Sequence, residues 1–305
     1  MRPVGLPTTA ALMIAVVAVS SSAPLIAYAA APALAIAFWR NALAVGALAP
    51  VAATRRRAEL VGLDRNGLRL CVLAGVALAV HFGTWVPSAK LTTAAAATAM
   101  VSTQPVWAAL IAYFRRVPVA PATWVGIGIA VVGAILATGA DFAVSPRAVA
   151  GDLLAVAGGM AAAVYTTYGE RARARTSTLT YTTVCYAVCA LLLGAGCVAF
   201  GVPLRGFDGR TWLAIAAMTV GPQLLGHSMV NFALHRVSAT TVSVLLLAEV
   251  PGAALLAWVW LGQAPAPGSL PGLALLVAGV MVVLLGAAGV SRRKAGRRSG
   301  PPRSV

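Results

Sequence analysis

The chain is a succession of long apolar runs separated by short polar breaks. Ten runs reach the roughly 20 predominantly apolar residues that a helix needs to cross a bilayer: residues 8–30, 33–53, 68–88, 92–114, 119–139, 151–170, 179–200, 211–234, 239–261 and 270–290. Helices are the expected element, and the breaks leave room only for short connections and tails. The first run follows Arg2 and contains an Ala-rich segment near Tyr28, which also fits a secretory leader. Its length, and the nine runs behind it, favour an uncleaved first helix.

Composition sharpens this pattern. Of 305 residues, 60% are hydrophobic and 10% charged, and mean hydropathy is +0.88. A soluble domain carries about 25% charged residues. So few charges cannot cover a globular surface, which excludes a soluble enzyme, a disordered chain and a disulfide-stapled secreted protein. The expected class is an all-α integral membrane protein.

The net charge of +16 suggests nucleic acid until the basic residues are placed. They cluster in the breaks between runs. With the N-terminus on the cytoplasmic side, 18 of the 23 Lys and Arg residues fall on that side, from Arg2, Arg55, Arg56 and Arg57 through Arg171, Arg173, Arg175 and Arg236 to the tail. Four fall on the other: Lys90, Arg147, Arg205 and Arg210. Loops rich in Lys and Arg stay in the cytoplasm, so both termini are expected there, in a multi-pass cell-membrane protein that binds no nucleic acid. The tail, residues 291–305, is basic and rich in Gly, Pro and Ser, and is expected to be disordered and to touch anionic headgroups.

Cys71, Cys185, Cys189 and Cys197 all fall within spans, with no C-x-x-C spacing. They read as small apolar packing residues, and no metal or cofactor is expected.

The second half echoes the first at a constant offset of 146 residues. His81 maps onto His227, Pro105 onto Pro251, Gly126 onto Gly272, Gly133 onto Gly279 and Lys90 onto Arg236. A unit of five spans is odd, so the second copy enters the membrane from the opposite side. The domains expected are a first repeat over 1–145, a second over 146–290 and the tail. Inverted repeats are the architecture of many secondary transporters, with the substrate near the midplane between copies. Gly126 and Gly133, and Gly272, Gly279 and Gly286, form small-residue stripes on the fifth and tenth spans. Such stripes pack helices closely, against a neighbour or across a homodimer.

Ionisable groups inside spans are costly unless paired or facing a cavity, so the short list of them is informative. Glu249 lies near the centre of the ninth span, two residues before Pro251. His227 lies in the eighth, at a depth within about 6 Å of Glu249 at the helical rise; His81 is its counterpart in the first half. Arg40 stands seven residues into the second span, placed to bind an anion or to snorkel to the interface. Trp85, Gln104, Tyr165, Tyr168 and Asn231 are candidate cavity residues or interhelical hydrogen-bonding groups. Asp152 reads as an acid at the start of the sixth helix.

At these residues the chain resembles a known family. Phe38-Trp39-Arg40-Asn41-Ala42-Leu43 looks like the arginine segment in the second helix of EamA-like carriers of the drug/metabolite transporter superfamily. His81-Phe82-Gly83-Thr84-Trp85 and Val101-Ser102-Thr103-Gln104-Pro105-Val106-Trp107 resemble their third and fourth helices. Leu247-Ala248-Glu249 with Pro251-Gly252-Ala253 resembles the ninth. The resemblance implies ten helices, cytoplasmic termini and a central cavity lined by helices one to four and six to nine. It also implies export of amino acids, related metabolites or drugs, with proton coupling in some members. The family often ends its fourth and ninth helices with Gly-Glu. Here Arg115-Arg116-Val117 and Gly262-Gln263 stand instead, which shifts any proton role toward Glu249.

The reading is a secondary carrier exporting a small metabolite by alternating access. Its partners are membrane lipids, a small-molecule substrate and, as a candidate coupling ion, the proton. A multidrug carrier is the alternative within transport. An intramembrane enzyme lacks support, since no paired aspartates, HExxH or Gly-x-Ser-x-Gly are present.

Overall fold

The computed structural model describes residues 6–92, 94–137, 145–262, 268, 270–272 and 274–283, and every regular element among them is helical. The tail, Arg2, Gln263 and Gly286 lie outside the described residues. Seven helices among those described are long and apolar enough to cross a membrane, and shorter apolar ones accompany them. Large side chains such as Leu153, Leu191, Val198 and Leu213 lie on the outside, Val198 at 78% exposure. Apolar surface of this kind belongs against lipid.

The first span is α1 (Leu6–Ser20) and α2 (Ser22–Tyr28), with a break at Ser21. It is followed by α3 (Ala33–Arg55), the short α4 (Arg57–Val61) and α5 (Arg65–Leu91). A fourth body consists of α6 (Ala94–Val101) and α7 (Gln104–Phe114), followed by α8 (Pro121–Ala137). The second half opens with α9 (Pro146–Arg173) and α10 (Thr178–Ala199). Its eighth body is α11 (Gly209–Met218), a π-helical segment (Thr219–His227) and α12 (Ser228–Ala233). Then come α13 (Ala239–Leu246), α14 (Glu249–Leu261) and a last helical segment, Leu270–Val283.

The breaks have local causes. Proline carries no N–H and cannot bond the carbonyl four residues back. Pro105 therefore frees the carbonyl of Val101, and Pro251 that of Leu247. Around both sites the chain tightens to three-residue bonds, Val106 N to Thr103 O (3.0 Å) and Val250 N to Leu247 O (3.1 Å). The two breaks fall at equivalent positions of the repeat. Pro222 sits inside the π segment, and Pro24 follows the break at Ser21, where Ser20 and Ser21 hydroxyls donate to Val16 O and Ala18 O.

Capping moves one expected boundary. The Ser145 hydroxyl accepts from Ala148 N, and Pro146 opens the helix. Five residues earlier than expected, α9 has begun, so Asp152 stands in its second turn rather than at its start. The N-terminal caps of α5, α10, α11 and α13 are Asp64, Ser177, Asp208 and Ser238.

Antiparallel packing places the ends. α5 lies along α9 with Gly151 against Thr92 and Gly158 against Trp85. Leu91 and Pro146 therefore share one face with Tyr28 and Gly209, whose neighbours Ala30 and Thr211 are hydrogen-bonded. Arg55, Arg57, Arg65, Arg173 and Ala239 gather on the other, termed here the arginine-rich face. The glycine stripes meet each other within the chain: a Cβ on Gly126 would strike Val283 and the carbonyl of Gly279, and one on Gly133 would strike Leu276. This pairing brings α8 against Leu270–Val283 at small-residue distance.

Candidate functional site

A cavity with about 60 Å³ of space for water centres lies between the halves. One water needs about 10–15 Å³, so the space holds a few waters. Its walls come from α1 and α2 (Val19, Ser22), α5 (His81, Trp85), the break and start of α7 (Ser102, Gln104, Pro105), α9 (Tyr165, Thr166) and the π segment (His227). Ser243 and Glu249, on either side of the second break, add polar groups, and the apolar Val101, Ala162, Val230, Leu246 and Leu247 complete the walls. His81, His227, Trp85, Gln104, Tyr165 and Glu249 are thus brought together. Arg40, Tyr168 and Asn231 are not on the wall. Tyr168 packs on the buried cluster that includes Phe82, and Asn231 is fully buried behind Tyr165.

The histidines are the centre of an aromatic group. Their ring centroids stand 6.2 Å apart. His81 stacks on Trp85 at 5.9 Å with planes 4° apart, while His227 meets Phe82 edge-on at 5.2 Å and Tyr165 at 6.0 Å. The Nδ1 of His81 lies 2.9 Å from Gly158 O. A carbonyl only accepts, so Nδ1 carries the hydrogen, and in the neutral ring Nε2 is an acceptor. The indole N–H of Trp85 is buried without a partner among the described residues.

Arg40 does not snorkel. It is 0% exposed, its Nε donates to Gln223 Oε1 (3.0 Å) and its Nη1 to Ser22 Oγ (3.2 Å), and its guanidinium lies 4.3 Å over the Phe82 ring. Gln223 in turn donates to Asn41 Oδ1 (3.0 Å). Arg40 Nη2 is buried with no partner among the described residues. Ser22 links this group to the cavity wall.

Glu249 opens α14 at the break and faces the cavity. No hydrogen bond or salt bridge holds its carboxyl to another described residue; the one ion pair among them is Arg56–Glu59 at 3.9 Å. Gln104 Nε2 donates to Ser243 Oγ at 2.9 Å, bridging the first-half and second-half breaks.

Gln223, Ser22 and Arg173 escaped the sequence reading. Gln223 was visible as an amide inside an apolar run beside Pro222, but its partners lie 182 and 183 residues away. Arg173 read as a loop cation, whereas 6% of it is exposed.

A helical bundle with apolar outer faces, helices broken near mid-length and a small, largely apolar cavity between its halves fits a multi-pass membrane protein. The comparisons specify which. The EamA-like transporter family model matches residues 7–139 and again 149–285, and the chain belongs to that family, part of the drug/metabolite transporter superfamily. No curated protein matches it. Among solved structures 28 chains match. One crystal structure of a protein superposes with a TM-score of 0.76 at 23% identity, over 93% of this chain and 98% of its own. That likeness establishes the fold.

Proposed function

We propose that this transporter is an exporter of small metabolites, such as amino acids or related compounds. It works by alternating access between two inverted five-helix repeats, residues 1–145 and 146–290, each giving five of ten spans. Both termini lie in the cytoplasm, and the arginine-rich face is the cytoplasmic one.

The observation that carries this reading is a difference between equivalent helices. The first span is broken at Ser21 and the eighth is π-helical over Thr219–His227, and these two pack together, Gly226 against Val19 and Gly221 beside Ser21. Their repeat partners, α9 and α5, run without interruption and pack on each other. Two related halves thus hold different shapes around one cavity. Exchanging those shapes would move the opening from one face to the other, which is what an inverted-repeat carrier does.

Glu249 is the substrate-binding or proton-coupling acid, and it has no hydrogen-bond or ion-pair partner among the described residues. His81, His227, Trp85, Gln104 and Tyr165 form the wall that selects the substrate. Arg40 supplies a fixed positive charge behind Ser22, held by Gln223, and Asn231 supports Tyr165. The small volume of the cavity supports a small solute over a bulky drug.

Exometabolite profiling of cells with and without the protein identifies the cargo. Flux into proteoliposomes of wild type and Glu249→Gln across pH then tests the acid. The expected result is a pH-dependent wild type and a variant whose flux no longer responds to pH. An unchanged pH profile in a folded variant removes the coupling role.

A further inference from the structure

The same kind of tie closes each face of the bundle. On the face opposite the arginine-rich one, Lys90 at the end of α5 donates from Nζ to Ala29 O, the C-cap of α2, at 2.7 Å. This joins the third span to the first. The repeat equivalents are the eighth and sixth spans, and they too are joined, at the arginine-rich face. His235, just past α12, has Nδ1 3.0 Å from Arg173 O at the end of α9. The guanidinium of Arg173 reaches back, donating from Nε to Asn231 O (2.9 Å) and from Nη1 to Thr176 O.

The two ties differ in what lies behind them. Asn231 Oδ1 accepts from the hydroxyl of Tyr165 at 2.7 Å, and Tyr165 lines the cavity. A continuous path of polar contacts therefore runs from the cavity wall through Tyr165 and Asn231 to Arg173. The repeat equivalents of Tyr165 and Asn231 are Val19 and Trp85. The Val19 side chain has no polar group, and the indole N–H of Trp85 is unpartnered among the described residues. Lys90 has no such path.

We infer that Arg173 is the gating residue of the arginine-rich face, and that the Tyr165–Asn231 pair reports cavity occupancy to it. Lys90 is a plain clasp on the opposite face. A solute that takes the Tyr165 hydroxyl as its own partner withdraws that hydroxyl from Asn231 and loosens the turn whose carbonyl holds Arg173. Solute in the cavity thereby favours opening on one face only. The inference rests on the alternating-access reading, but its test needs no substrate.

The test places a cysteine at Ser102 on the cavity wall and measures its reaction with a charged, membrane-impermeant methanethiosulfonate in oriented vesicles. The four native cysteines are buried and set the baseline. Arg173→Met is expected to speed labelling from the arginine-rich face about tenfold, the order of shift that follows loss of a charge-assisted hydrogen bond. Tyr165→Phe, which keeps the ring, is expected to act in the same direction and on that face alone. Lys90→Met is expected to speed labelling from the opposite face, and Arg173→Lys to restore part of the parent rate. Should Arg173→Met fail to reach the membrane, Tyr165→Phe decides the matter. Labelling from the arginine-rich face that stays at the parent rate in Tyr165→Phe, or that rises equally from both faces, overturns the inference. Failure of a flux assay with intact labelling responses counts against the transport reading and not against the gate.

Discussion

His81 and His227 are 146 positions apart in sequence and 6.2 Å apart between ring centroids. Equivalent residues of the two halves thus meet across the cavity, with Phe82 and Tyr165 completing the aromatic group. Side chains in contact do not contribute independently, and coupling of about 0.5–3 kcal/mol is typical of such pairs. Substituting each histidine with glutamine, singly and together, is expected to give effects on transport that fall well short of adding. Strict additivity in the flux of the three variants would show that the rings do not act on each other.

Arg40 tests whether a buried cation is held for its shape as well as its charge. Its Nε and Nη1 serve two acceptors while the plane covers Phe82. Lysine is a point charge that cannot do all three. Arg40→Lys is expected to lower stability in detergent by about 1.5–3 kcal/mol, the scale of one lost hydrogen bond to a charged group. Thermal unfolding of the purified chain checks this; an unshifted transition would mean that Gln223 and Ser22 are satisfied some other way.

Glu59 links the halves at the arginine-rich face, where Ser177 N donates to its Oε1 at 2.5 Å at the start of α10. Burial pushes this carboxyl up. Bonds from Ser177 and Thr180 and the Arg56 guanidinium outweigh that effect, and the group ends below its ordinary 4.5. A lowered folded value means a stabilisation fully present above about pH 4.5 and lost as pH falls through the lowered value. Glu59→Gln is expected to flatten the acid limb of the unfolding midpoint between pH 6 and pH 3, on the order of that window. An acid limb as steep as that of wild type would remove Glu59 as its source.

Arg116 and Gly262 occupy equivalent places at the ends of α7 and α14, and both are left-handed, φ 56° and 68°. Glycine accepts this conformation freely, whereas a residue with a Cβ loses about 1–2 kcal/mol. After α7 the Val117 N–H bonds Ala112 O and the Arg116 N–H bonds Tyr113 O, the Schellman closure of a helix. Arg116→Gly is expected to stabilise the chain by about 1 kcal/mol, read as a raised unfolding midpoint. A lowered midpoint would show that the arginine side chain contributes more than its backbone strain costs.

Much of this arrangement was legible in the sequence. The register of the repeat makes His81 equivalent to His227 and Pro105 to Pro251. Glu249, the acid near that second proline, is among the residues that line the cavity. Which way each helix turns was much less legible. A span that is apolar nearly all round gives little periodic signal for its inner face: Tyr165 and Tyr168 lie three residues apart, yet Tyr165 lines the cavity while Tyr168 packs on the buried cluster beside it. Arg40 looked free to snorkel because its partners, Gln223 and Ser22, lie on other spans. The charge pattern counted Arg173 as one more topology marker, since nothing in a run of loop arginines distinguishes the one that folds inward.

The carrier reading is tested most directly by counterflow. Proteoliposomes loaded with an excess of the unlabelled cargo identified by profiling are diluted into a trace of labelled cargo. Alternating access predicts saturable, transient accumulation of label above equilibrium, accelerated by cargo on the opposite side. Flux that is linear in concentration and indifferent to cargo on the far side would describe a channel and contradict the account.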